Sequence, residues 1–167
     1  MKRLVLITLL IGFVIPMTAQ DTGQLEEVVV KAMNYKYLSA VENSKAPVPI
    51  WNVEKEAAMF DVTASDVYLD NFNTYQVTFR VPRGVVVAAY DQDGEIIKTI
   101  ERFKNYQMPD EVRLSIKEKY PGWEVVKDVF FVSYTKKKGA KKLYKVKLEK
   151  GGEIMRVKID AKGNFLQ

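Results

Sequence analysis

Tyr75-Gln-Val-Thr-Phe79 and Asp91-Gln-Asp-Gly94-Glu-Ile-Ile97 return 69 residues later as Tyr144-Lys-Val-Lys-Leu148 and Asp160-Ala-Lys-Gly163-Asn-Phe-Leu166. The register is ungapped across the last 24 residues, with Tyr, Val, Asp and Gly identical at matching places. Most other apolar positions are matched by apolar ones. Self-similarity at a fixed offset marks a duplicated supersecondary unit. It points to a scaffold with a surface rather than to a dedicated active site.

Working outward, the second copy reads as a helix and four strands. Pro109-Asp110-Glu111 opens a helix, since proline suits the first turn and carboxylates complement its positive end. Val112, Ile116 and Tyr120 form its apolar stripe, and Pro121-Gly122 ends it. Residues 123–134 read as a long strand with a bulge at Lys127-Asp128, followed by strands over 143–150, 153–160 and 164–167. In the first copy the same plan places a helix over 52–60 and strands over 65–70, 75–81, 85–91 and 95–103. The expected fold is α+β: two tandem helix-plus-four-stranded antiparallel units forming one curved sheet with helices on one face. The units occupy residues 50–104 and 105–167. Residues 21–49 form an N-terminal arm with no counterpart.

Strand alternation then assigns faces. Met155, Val157 and Ile159 should point inward, leaving Ile154, Arg156 and Lys158 outward. Carried back by the offset, Val86, Ala88 and Tyr90 point in while Val85, Val87 and Ala89 point out. The outward face is thus basic in one copy and apolar in the other. An apolar strand face calls for a cover, which is either the Val28–Val30 segment or a second chain. The candidate partner-binding face comprises Thr78, Arg80, Val85, Val87, Lys145, Lys147, Arg156 and Lys158.

Residues 1–20 read as a secretory signal peptide. Lys2 and Arg3 head an uncharged apolar run from Leu4 to Met17, too short to span a bilayer, and cleavage follows Ala19 or Gln20. The mature chain is expected to be periplasmic or extracellular, with no transmembrane segment. The absence of cysteine excludes disulfides, thiol catalysis and iron–sulfur ligation. The absence of histidine excludes imidazole-activated nucleophiles and the common zinc sites. No glycine-rich phosphate loop is present. The reading is a non-enzyme without a cofactor. Charge is uneven: residues 21–104 carry a net −4 and residues 105–167 a net +7.

Asp91-Gln-Asp-Gly94-Glu95 invites a calcium reading, but Ile96 and Arg102 stand where an EF-type loop needs glycine and glutamate. A β-turn accounts for both copies. The densest basic surface runs through Lys136–Lys138, Lys141, Lys142, Lys145, Lys147, Arg156 and Lys158. Nucleic-acid binding would need aromatics interleaved on that face, and Tyr134 and Tyr144 are expected elsewhere. The alternatives are a solvated strand face or an anionic exported partner.

The Pro-Asp-Glu-Val opening at 109–112, Lys-Tyr-Pro-Gly-Trp at 119–123, Tyr-Lys-Val-Lys-Leu-Glu at 144–149 and Asp-x-x-Gly-Asn-Phe-Leu at 160–166 resemble the PepSY-like, β-lactamase-inhibitor-like secreted proteins. The resemblance covers about residues 50–167. It implies a non-catalytic role, binding or inhibiting another exported protein through the open sheet face, and no catalytic residues to carry over. Leu25-Glu-Glu-Val-Val-Val30 is also similar to the short box by which outer-membrane receptors engage an energy-transducing protein through strand addition. The alternative function is a structural or self-assembling envelope protein, driven by the opposite charges of the two halves.

Overall fold

The computed structural model describes residues 34–42, 46–69 and 71–167. The expected signal peptide, residues 1–20, and the Leu25–Val30 segment lie outside the described residues. Seven strands form one antiparallel sheet whose spatial order follows the chain. They are β1 (Tyr75–Val81), β2 (Gly84–Tyr90), β3 (Ile96–Lys104), β4 (Glu124–Thr135), β5 (Gly139–Lys150), β6 (Glu153–Asp160) and β7 (Phe165–Leu166). Helices α1 (Tyr35–Val41) and α2 (Val48–Met59) precede the sheet, and α3 (Asp110–Lys119) connects β3 to β4.

The repeat is structural where the sequence matches. β1 and β2 correspond to β5 and β6, and the turns that follow are built alike. Asp91 Oδ1 accepts from the backbone N–H groups of Asp93 and Glu95, and Asp160 Oδ1 accepts from those of Lys162 and Asn164. Each aspartate is therefore committed to its own turn. Glycine is required in the second copy: Gly163 has φ 90°, and a Cβ there would run into Ser115 Oγ of α3.

The expectation of two helix-plus-four-stranded units is overturned. Among the described residues the sheet is a single seven-stranded array with three helices, and the first copy supplies three strands, not four. Residues 65–69, expected to open the first copy's sheet, are a chain of turns. Local hydrogen bonds hold them there. Asp61 Oδ1 accepts from the Thr63 and Ala64 N–H groups, Ser65 Oγ donates to the Val62 carbonyl, and the Ser65 and Tyr68 amides close successive turns. Such side-chain bonds compete directly with strand pairing. The helix of the first copy starts at Val48 rather than residue 52, and the segment read as an arm contains α1. The irregularity in β4 falls between Val125 and Lys127, one step before the expected bulge.

One core joins the copies. Across the sheet, Gly84 faces Phe103, Phe103 faces Phe130, Phe130 faces Tyr144, Tyr144 faces Ile159 and Ile159 faces Phe165. The Phe130 and Tyr144 rings stack at 4.6 Å and the Phe103 and Phe130 rings at 6.3 Å. Cross-strand aromatic pairs add about 0.5–1.5 kcal/mol each beyond their buried area. The helices cover this same face. Ile50, Val53 and Ala57 follow the i, i+3, i+7 spacing of one helix side, and all three are buried. Tyr37 of α1 packs edge-on against Tyr134 of β4, and Tyr120, just after α3, packs against Phe165. Thus α1, from the N-terminal segment, docks on strands of the second copy.

Candidate functional site

The other face of the sheet carries every predicted site residue. Register places Thr78 opposite Val87 and Arg80 opposite Val85. It places Lys145 opposite Lys158 and Lys147 opposite Arg156. The eight residues share a face but form two groups, one on β1–β2 and the other on β5–β6. The strands between them add residues that the sequence reading did not include. Val87 faces Ile100, which faces Ser133; Val85 faces Arg102, which faces Phe131 and then Leu143; Lys104 faces Val129, which faces Lys145. An apolar centre of Phe131, Val129 and Leu143, with Ile100 at its margin, therefore lies between two cationic flanks.

The flanks are shaped as grooves. One, about 500 Å³, is lined by Lys127, Val129, Lys145, Lys147, Arg156 and Lys158. The second, about 460 Å³, is lined in part by Arg80, Arg83, Val85, Arg102 and Lys104. Phe131 connects them electrostatically. Lys145 Nζ stands 4.4 Å from its ring centroid on one side, and Arg102 Cζ stands 5.6 Å away from the other strand. Tyr134 and Tyr144, by contrast, are buried on the helix-covered face.

Like charges meet directly on this face. Lys127 faces Lys147, which faces Arg156, and Lys145 faces Lys158. Directly opposed like charges destabilise an antiparallel pair. Among the described residues no ion pair engages these five side chains. Lys158 Nζ donates to the Gln167 backbone oxygen at 3.3 Å. The acid that shares the Leu143 row, Asp160, is withdrawn into its turn.

Other members of the dense basic run are already employed. Lys136 pairs with Glu95 at 2.6 Å and with Asp91 at 3.8 Å, pinning the β4–β5 turn to the β2–β3 turn. Lys142 lies on the helix-covered face, opposite the buried Val132, and donates to the Glu42 carbonyl at the end of α1. Burial lowers its pKa. The run that reads as one patch in sequence is divided between two faces and a turn.

A buried polar cluster on the helix-covered face was not anticipated. Glu54 of α2 and Glu101 of β3 are both buried. Tyr37 Oη donates to Glu101 Oε1 at 3.0 Å and Thr99 Oγ1 donates to the same oxygen at 2.7 Å. Glu101 Oε2 has no hydroxyl, amide or ammonium donor among the described residues, and the buried Glu54 carboxyl shares a side-chain hydrogen bond with Glu101. Burial, the nearby Glu101 charge and that hydrogen bond push Glu54 up to about 9. Burial also raises Glu101 and Tyr37. The cluster clamps α1 and α2 to the sheet. Two glutamates on otherwise apolar helix and strand faces were the signal for it.

No family model matches the chain, and a search of curated proteins gives no match. Among the described residues no helix is long and apolar enough to cross a membrane.

Proposed function

We propose that this protein is a non-catalytic, exported binding module of PepSY-like kinship that holds another exported protein against the open face of its sheet. The observation that carries the reading is the set of opposed like charges, Lys127–Lys147–Arg156 and Lys145–Lys158, which among the described residues no Asp or Glu side chain pairs with. A fold gains nothing from such pairs, whereas an anionic partner would gain from them in encounter rate and orientation. Export rests on the basic head and apolar run of residues 1–20. An inhibitory role toward an exported hydrolase is the sharper form of the same reading, and a panel of such enzymes tests it.

The test is crosslinking capture from native envelope with the wild-type chain and with Lys145→Glu/Lys147→Glu. Partner bands should weaken in the variant and with added salt. Identical capture by both proteins would remove this face from the proposal. A second reading, self-assembly, is favoured by the net −4 and +7 of the two halves. Size exclusion at low salt decides it, since a strict monomer there counts against assembly.

A further inference from the structure

The two cationic grooves lie at opposite ends of one apolar centre, so their separation specifies the ligand. Arg80 and Arg102 stand on β1 and β3, while Lys147 and Arg156 stand on β5 and β6. Adjacent strands are about 4.8 Å apart and the groups are also offset by four residues along the strands, from the Leu143 row to Lys147, so they lie roughly 22 Å from one another. An extended peptide advances about 3.4 Å per residue and covers that distance in roughly six steps, leaving about five residues between its two ends. Between the groups the surface offers Phe131 and Val129 of β4 and Leu143 of β5, with Ile100, 39% exposed, beside Arg102 at the margin. Phe131 is half-buried with Lys145 and Arg102 over its ring, so an apolar contact there would meet the ring beside these cations.

We infer that the partner presents an extended acidic–apolar–acidic segment, with its two carboxylate clusters separated by about five residues, lying across strands β3 to β6. This rests on the protein-binding reading above and names the chemistry of what is bound. A compact anion such as a single phosphate would occupy one groove and leave the second and the apolar centre unused. A flexible polyanion would use both grooves and leave the centre wet. Only a ligand with carboxylates at both ends and aliphatic residues between them satisfies the whole face.

The experiment uses three fluorescent peptides and the full chain in anisotropy titrations. The first carries two Glu-Glu pairs separated by Gly-Leu-Val-Leu-Gly. The second has the same composition with its four glutamates contiguous, and the third replaces the glutamates by lysine. The first peptide should bind about tenfold tighter than the second, and the third should not bind. Arg102→Glu and Arg156→Glu, one in each groove, should each weaken the first peptide about tenfold or more, with cooperative thermal unfolding retained. Equal binding of the first two peptides, or indifference to either substitution, overturns the inference. So does preferential binding to phosphatidylglycerol vesicles, or dimerisation through this face without peptide binding. If the peptides fail while envelope capture still depends on Lys145 and Lys147, the spacing falls and the binding reading stands. If capture is also indifferent, both fall.

Discussion

Glu54 and Glu101 meet inside the protein as a carboxyl and a carboxylate joined by a hydrogen bond, one from a helix and the other from the sheet beneath it. Two ionised carboxylates could not occupy that site without a large electrostatic cost. The contact therefore makes helix docking depend on a proton.

Stability should fall as pH rises. The folded Glu54 holds its proton up to about 9, whereas the unfolded chain releases it near 4.5. The stabilisation is complete below the lower value and lost as pH passes the upper one, with a limiting slope of ~1.4 kcal/mol per pH unit for one proton. Asp128, raised by burial to about 6, adds a slope of the same sign at lower pH. Denaturant titrations from pH 5 to 9 check the sign. A flat or rising profile would contradict the shared proton.

Glu54→Gln should flatten that profile. A glutamine amide donates permanently to Glu101 and carries no titrating group. The variant should match or exceed the wild type at pH 8 and lose its advantage near pH 5. Greater loss at pH 8 than at pH 5 would count against this geometry.

Tyr37→Phe removes a donor to Glu101 Oε1 while keeping the ring that packs on Tyr134. Leaving a buried acceptor short of a donor costs about 1–3 kcal/mol. Proteolysis within residues 34–42 should accelerate, because α1 is the element released.

Gly163→Ala should destabilise by more than ~1 kcal/mol, since its positive φ and the closeness of Ser115 act together. Thermal unfolding reads this directly. Ser115→Gly in the same chain should recover the steric part and leave the backbone part.

Lys147→Glu makes the most telling prediction. Lys147 faces both Lys127 and Arg156, so the glutamate converts two repulsive cross-strand pairs into attractive ones. Each such pair is worth roughly 0.2–1 kcal/mol. Unfolding should shift upward while partner capture is lost. A residue whose replacement improves the fold and abolishes capture is retained for binding.

Much of the sheet was legible because Tyr144, Val146 and Leu148 alternate with charged residues, and the repeat transfers that alternation to Tyr75, Val77 and Phe79. The inward and outward assignments on β2 and β6 follow from it. What was not legible depends on tertiary contact. α1 is seven residues long, with no acid in its first turn and no side-chain cap, so nothing local marks it; Asn34 fixes its start by reaching Ala58, Gly94 and Ile96. The fourth strand expected in the first copy failed because Asp61 and Ser65 offer their backbone closer partners. Phe131 and Ile100 escaped the candidate face because β3 and β4 pair across the helix-bearing connection, where no turn fixes register. Glu54 and Glu101 would ordinarily be assigned to solvent, and only burial reveals them as partners.

The aromatic row from Phe103 through Phe130 to Tyr144 crosses the boundary between the two copies. Neither copy is thus a molecule in its own right. Cleaved between β3 and α3, each fragment would carry a raw strand edge and half of a hydrophobic stripe, complementary to the other fragment's own. Duplication here has produced a pair of mutually dependent halves, and the proposed binding face exists only where they are joined.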